Sequence, residues 1–274
     1  MNLCVPDIFT ADHSGKYSVS IRLWSDGLSF AAHIPSETDS FFYTEIETDR
    51  TKPYLHAIKD IFFAHPFFSY VFKHTYVIVA NRQYTLVPEN IFIEKQKEQL
   101  MSFIFASPEE QILYERFDDF ESVVLFGIQP KVYDFFSRSL NNPIFTHAIT
   151  AQLTQWRIQS LTTYPKQLYV ALHKNTMDAA CFYRDTLLFV NSFQVDDVAD
   201  MLYYILYIWK QTGMDQQKDK LMLLVNNEKF QTLKAQLQTY LLQIAHVPPW
   251  QSDTGLEVPS DITALFNMNK LSSS

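Results

Sequence analysis

The stretch from Tyr17 to Ile34, YSVSIRLWSDGLSFAAHI, decides the fold of this 274-residue chain. Tyr17, Val19, Ile21 and Leu23 alternate with Ser18, Ser20 and Arg22. That period of two places successive side chains on opposite faces of a strand. Asp26-Gly27 interrupts the run, and Leu28, Phe30, Ala32 and Ile34 resume it. Asp-Gly between two alternating runs predicts a hairpin, because a tight two-residue turn demands positive φ. A third strand follows over residues 40–47. Residues 49–53 then open a helix with Leu55, Ile58, Ile61 and Phe62 at helical spacing. Residues 75–80 read as a fourth strand and 93–105 as a second helix.

Helix signals come next, before a similar order returns after Pro165. Ser107-Pro108-Glu109-Glu110 has the form of a capping box with proline at the first helical position. A short buried strand over 123–126 follows, ending at Gly127. Pro130 then starts a helix striped by Val132, Phe135, Phe136 and Leu140, and residues 144–147 resume extended. After Pro165, residues 168–172, 179–183 and 186–193 read as three strands joined by short turns. Asp196-Asp197 caps a helix over 198–212 that Gly213 ends. Residues 221–225 form a strand, and 228–245 a helix with Phe230, Leu233, Leu237, Leu241 and Ile244 on one side. A βββαβα unit therefore occurs twice, roughly 150 residues apart, as a repeat of topology and not of sequence. The reading is α/β with two lobes, residues 1–163 and 164–274, dividing near 161–166 with a crevice between them. The tail from Gly255 is polar, with one amphipathic stretch at 262–266 and a mobile Ser272-Ser273-Ser274 end.

Composition removes several functions. Hydrophobic residues make up 47% and charged residues 19%, enough for a large core and unlike a disordered chain. Only five glycines occur, where an average composition would give roughly 19. Loops that cradle phosphate on bare backbone need glycine, so this scarcity argues against nucleotide-loop enzymes. Twenty-two basic against thirty acidic side chains give a net charge of -8, the wrong sign for a nucleic-acid partner. The basic clusters Lys95/Lys97 and Lys218/Lys220 are interleaved with Glu98 and Asp219 and read as solvated faces. Cys4 and Cys181 make neither a disulfide framework nor a C-x-x-C site. The longest apolar run, Met201 to Trp209, is nine residues, against about 20 for a membrane span. With no charged, apolar leader at the N-terminus, the expectation is a soluble cytoplasmic protein.

The twice-repeated βββαβα unit resembles the actin-like ATPase (ribonuclease H-like) fold of sugar kinases, Hsp70 chaperones and pilus-assembly ATPases. Two segments narrow the resemblance. Tyr84-Thr-Leu-Val-Pro-Glu-Asn-Ile-Phe92 is similar to a segment of an uncharacterised family typical of Bacteroidetes, domain-of-unknown-function family 3822. Phe189-Val-Asn-Ser-Phe193, followed by Asp197, Tyr203-Tyr204 and Leu206, resembles that family's most characteristic segment. Membership implies the fold and no established activity. Active members of the wider superfamily carry Asp-x-Gly after the first strand of each half, to manage Mg²⁺ and hold phosphate. Here the first connection is Arg22-Leu-Trp-Ser-Asp-Gly27, whose Asp-Gly also reads as a plain turn, and the second is His173-Lys-Asn-Thr-Met-Asp178, without glycine. No two glycines are adjacent, so the later Gly-Gly signature for adenosine is absent. If ATP with Mg²⁺ binds at all, the resemblance places it at Arg22, Ser25, Asp26, Lys174, Asn175 and Thr176. The carboxylates that two-metal nucleases need on the first strand are missing from residues 18–23.

Other chemistry is thin. His56, His65 and His74 recur every nine residues, not at the i, i+3 or i+4 spacing that shares a metal on a helix. No G-x-S-x-G is present. No catalytic residue, metal or obligatory cofactor is therefore expected. The helix over 198–212 is apolar all round, which suits either full burial or burial on one side and docking on the other. Tyr203, Tyr204, Tyr207 and Trp209 are its candidate partner surface, since aromatic rings with a polar tip favour interfaces. The function expected is a nucleotide-independent interaction or scaffold protein holding a protein or peptide in the inter-lobe crevice. The alternative is a weak ATPase or phosphotransferase.

Overall fold

A computed structural model describes residues 5–161, 165–253 and 255–271. Cys4, the expected boundary at 163/164 and the terminal serines lie outside them. The chain divides into two compact units. The first runs to Thr150 and includes residues 251–256 and those from Leu265 on; the second holds Ala151–Trp250 and Glu257–Ala264.

In the first unit β1 (Ser18–Trp24), β2 (Gly27–His33) and β3 (Phe42–Glu47) precede helix α1 (Tyr54–Ala64) and β4 (His74–Val79). An inserted segment follows: β5 (Tyr84–Pro88), α2 (Lys97–Ile104), β6 (Gln111–Phe117) and β7 (Ser122–Ile128). Helix α3 (Pro130–Ser139) and β8 (Ile144–His147) complete the order. The main sheet runs β3-β2-β1-β4-β8, with β1, β4 and β8 parallel and β2 and β3 antiparallel. The insertion is a separate antiparallel sheet, β5-β7-β6.

The alternation at Tyr17–Ile34 is real, yet every residue of β1 and β2 is buried. Alternation ordinarily marks a sheet with one wet face. Here Val19, Ile21, Phe30 and Leu28 make the apolar face. Phenylalanines build much of this unit's core: Phe62 of α1 meets Phe68 and the α3 residue Phe135 at ring distances of 5.1 Å each. Each such ring taken from water contributes about 1.5–3 kcal/mol. The opposite, polar face of the sheet is roofed from the far end of the sequence. Phe266, in the last helix, packs on His33 at 4.9 Å and on Phe41 at 5.2 Å. The Tyr76 hydroxyl donates to Asn269 Oδ1 at 3.3 Å.

The second unit begins with α4 (Ala148–Ser160), of which all but the first three residues belong to it. β9 (Gln167–His173), β10 (Thr176–Tyr183), β11 (Thr186–Gln194), α5 (Val198–Gln211), β12 (Lys220–Leu224), α6 (Asn227–Leu237) and β13 (Gln243–His246) follow. Its sheet has the order β11-β10-β9-β12-β13, with the same pattern of parallel and antiparallel neighbours. Helices α5 and α6 cover one face through Met201, Ile205, Ile208, Phe230, Leu233 and Leu237, and Cys181 is buried within that core. On the other face Trp156 of α4 stacks on Tyr169 at 5.6 Å. A short ribbon, β14 (Trp250–Gln251) with β15 (Glu257–Val258), leads to α7 (Ser260–Leu271).

Several elements differ from expectation, among them β5 and the β14–β15 ribbon, for which no strand was expected. The Ser107–Glu110 motif starts no helix: the Glu109 N–H is taken by Gln83 Oε1 at 2.7 Å, and the chain enters β6. The helix expected over 228–245 stops at Leu237, because Gln243–His246 is needed as the sheet's fifth strand beside β12. Helix α4 has no counterpart in the sequence reading. It buries Gln152 and Thr154 together with Leu153 and Trp156, so its apolar residues trace no single stripe.

Candidate functional site

At the first expected phosphate connection, Trp24 pairs with Gly27, which leaves Ser25 and Asp26 as a two-residue turn. The Asp26 carboxylate pairs with the Arg50 guanidinium, and its carbonyl accepts the Thr48 N–H at 2.9 Å. Gly27 serves packing. A Cβ there would lie 2.3 Å from the Trp24 ring and 2.8 Å from the Ile46 carbonyl oxygen, and the Tyr54 hydroxyl donates to the Gly27 carbonyl at 3.1 Å. Burial, then the charge of Asp26, pushes the Tyr54 phenol up. Arg22 does not join the turn. It is buried in β1 with its guanidinium 5.9 Å from the Trp24 ring centroid.

The second connection is equally short. His173 pairs with Thr176, so Lys174 and Asn175 form the turn, with Lys174 left-handed at φ 52°. The Asn175 carbonyl accepts the Val195 N–H at 2.9 Å, and Thr176 is in register with Gln194. Lys174, Asn175 and Thr176 are thus consecutive in one hairpin, and Ser25 and Asp26 in another. Two-residue turns supply no run of converging N–H groups of the kind that wraps a phosphate.

The carboxyl ends of parallel strands are where open α/β sheets usually bind ligands. In the first unit these ends are occupied by the chain itself. Asn81, just past β4, donates from Nδ2 to the Gly127 carbonyl at 2.8 Å and accepts the Gln83 N–H at 2.9 Å. His147, the last residue of β8, caps α4. Its Nδ1 accepts the Ile149 N–H at 3.1 Å, which leaves Nε2 to donate to the Asn81 carbonyl at 3.1 Å. Its ring lies 4.5 Å from Tyr84 and 5.6 Å from Phe126, both of the inserted sheet. Burial, opposed by the Asn81 carbonyl and helped by the charge of Arg22, holds its pKa down at about 3.

Glu115 reaches across from β6. Its carboxylate accepts the His147 N–H at 3.0 Å and the Thr146 hydroxyl at 2.8 Å, together with the Thr150 hydroxyl. Burial raises its pKa although these donors pull the other way. Both imidazole nitrogens are engaged, so the cluster is a seal and offers no free base. Sequence reasoning missed it because Glu115 comes from the insertion and meets residues more than 30 positions away.

The aromatic helix resolves by face. Tyr203 and Tyr207 are exposed, Tyr204 is half-buried, and Trp209, grouped with them by the sequence, instead packs inside at 3% exposure. Helical periodicity sets Met201, Ile205, Ile208 and Trp209 on the inner side. Tyr203 stacks on Tyr207 at 6.2 Å, Tyr204 on Phe193 at 4.2 Å, and Phe193 on Phe189 at 6.4 Å, so rings run from helix to strand. An open depression of about 540 Å³ ends this strip, lined by Lys166, Tyr183, Leu188, Phe189, Tyr207 and residues 211–212. Lys166 Nζ donates to the Thr212 and Gly213 carbonyls at 2.8 and 2.9 Å, closing the end of α5.

Among the described residues, no three His, Cys, Asp or Glu side chains converge on a metal position, and no helix is long and apolar enough to cross a membrane. Of the evenly spaced histidines, His65 is buried with Nδ1 2.7 Å from the Ile61 carbonyl oxygen, while His56 and His74 are exposed.

Two sheets of the same 3-2-1-4-5 order, each begun by a hairpin, define the actin-like ATPase fold. The chain belongs to the family described as "Protein of unknown function (DUF3822)", whose model matches residues 6–244. It is similar, at 28% identity and a TM-score of 0.83, to a Bacteroides thetaiotaomicron VPI-5482 protein described as having an actin-like ATPase fold and unknown function. That match covers 96% of this chain and 99% of the other. A chain of the PilM–PilN type IV pilus biogenesis complex shares the fold at 11% identity and a TM-score of 0.57, over 92% and 98% of the two chains. No curated protein matches the sequence.

Proposed function

We propose that this chain is a nucleotide-independent interaction or scaffold protein, a pseudo-ATPase whose aromatic face holds a protein partner. The observation that carries the reading is the state of the two phosphate connections. Both are two-residue hairpin turns engaged by their own neighbours, with Asp26 committed to Arg50 and Gly27 committed to Trp24 and Ile46. Beside β11, helix α5 presents Tyr203 and Tyr207 to solvent. The similar fold in the PilM–PilN complex offers an analogy of use. Thermal-shift titration with ATP, ADP and GTP, each with and without Mg²⁺, tests the proposal. The expected outcome is an unmoved midpoint at millimolar nucleotide. Ligand at about 100 times its Kd would add roughly 2.7 kcal/mol and raise the midpoint by several degrees. Such a rise, lost on mutating Asp26 or Lys174, would overturn the reading in favour of a weak phosphotransferase.

A further inference from the structure

We propose that the β11–α5 face pairs with the same face of a second copy of this chain, about a twofold axis, with the two β11 strands antiparallel. The inference rests on the reading of this face as an interaction surface and names its partner.

The first observation is the strand. β11 is the outer strand of its sheet, and no described strand pairs with its far side. Its nine residues, TLLFVNSFQ, include no charge and no proline, two of the devices that keep a sheet edge from pairing; a bulge opposite Cys181 and Phe182 leaves Leu188 out of the ladder near its start, and the run from Phe189 to Gln194 is regular. Leu188 is 42% exposed on it. Over that regular run the edge offers a row of main-chain donors and acceptors, which the same run of an antiparallel copy satisfies.

Shape is the second observation. Tyr203 stands out at 63% exposure, and the depression beside Tyr207 lies one helical turn away on the same face. A twofold axis passing between these two tyrosines sets Tyr203 of each copy against Tyr207 of the other. Projection and hollow then meet twice, as a self-complementary interface requires.

Charge is the third, and it selects a second copy over an arbitrary partner. Leu188 and Phe189 line the depression with Tyr207 and Gln211, so the start of β11 lies by the end of α5. At that end stand Lys166, Arg184 and Lys210, with Asp185 beside them and the buried Asp219 accepting the Lys166 N–H at 2.7 Å. At the other end stand Asp196, Asp197 and Asp200, with Lys174 in the turn whose Asn175 carbonyl accepts the Val195 N–H, so acid outnumbers base there. The face therefore has a basic and an acidic end. Reversal by the twofold places each end against its opposite, which steers and fixes the register of such a pair.

Sedimentation velocity on the full chain, from about 1 to about 100 μM, reads the outcome. The expected result is a species of twice the chain mass. Leu188→Lys and Tyr203→Glu should each weaken the pairing about tenfold or more, since Tyr203 is the projecting ring and Leu188 lines the hollow that receives its counterpart. Both positions are exposed, and an unchanged circular dichroism spectrum will show that each variant folds. Lys210→Glu should weaken pairing and Asp196→Lys in the same chain should restore it, a rescue that a merely structural role would not produce. Backbone amides of β11 should exchange more slowly at the higher concentration. A dimer indifferent to Leu188→Lys and Tyr203→Glu would overturn the proposed face. A chain that stays monomeric yet binds another protein through Tyr203 would overturn self-pairing and leave the interaction reading standing. A monomer that binds nothing and shifts with ATP would overturn both.

Discussion

Strands β3 and β11 occupy the same place in two sheets of the same order, and they are finished in opposite ways. β3 has two glutamates in six residues, and Glu45 is tied in by the Tyr43 hydroxyl at 2.7 Å. Phe9 from the N-terminal segment packs on Phe42 at 4.8 Å. β11 is half as long again and carries no charge. The contrast extends to the strand ends, where the first unit has an inserted sheet that seals β4 and β8, whereas the second unit passes from β12 into α6 with no insertion. A shared topology thus fixes how strands are ordered and leaves their edges and ends free to diverge. In this chain both outer strands lack a further described strand partner, but β3 carries charge where β11 carries none.

The comparison can be broken most severely at Glu115. Glu115→Ala leaves the Thr146 and Thr150 hydroxyls and the His147 N–H without their acceptor, at a cost of roughly 3 kcal/mol. Chemical denaturation at pH 7 should show it, and a loss under about 1 kcal/mol would mean that the seal contributes little.

His147 gives the next effect, through pH. Its folded pKa lies below the unfolded value of 6.5. Its contribution is therefore complete above pH 6.5 and is lost as the pH falls toward the folded value of about 3. The slope is roughly 1.4 kcal/mol per pH unit, or about 2 kcal/mol by pH 5. Glu115 works the other way: its folded pKa lies above the usual glutamate value, so it favours the fold at low pH and loses that contribution as the pH rises. The difference between wild type and His147→Asn isolates the histidine. Asparagine can still cap α4, so this variant should be less stable at pH 7.5 and should lose less on acidification. Parallel curves for the two proteins would reject the assignment.

The smallest effect sharpens the contrast from the other side. Leu188→Lys puts on β11 the kind of charge that β3 already has. It should change the stability of the single chain by about 0.5 kcal/mol, because Leu188 is already 42% exposed there and a lysine can carry its charge out to water. A larger loss in dilute protein would show that β11 is covered by its own chain after all.

Much of this fold was legible in the residues. Alternation flanking Asp26-Gly27 gave the first hairpin, and apolar stripes capped by Pro130 and by Asp197 located α3 and α5. The Asp197 carboxylate does accept the Asp200 N–H at 3.0 Å. Elements buried on several sides were hidden. Alternation at Ser18, Ser20 and Arg22 suggested a wet face that Phe266 and its neighbours in fact roof, and α4 showed no stripe. β6 and β13 were obscured because helix signals in the local sequence yielded to strand partners far along the chain. The site was legible only in part. Both turns were located, but the Glu115–His147 seal depends on contacts across the insertion that no spacing reveals. For α5, an unbroken apolar run identified an unusual helix without saying that Trp209 faces in and Tyr203 faces out. The Tyr203/Tyr207 spacing of four was the one clue to the outer side.

The roof over the polar face of the first sheet has a consequence for how the protein is made. Phe266 and Asn269 leave the ribosome more than 100 residues after the strands they cover. At about 5–20 residues per second, that delay is on the order of ten seconds. During synthesis the N-terminal half therefore waits with His33 and Tyr76 uncovered, a nascent intermediate that only the final helix can complete.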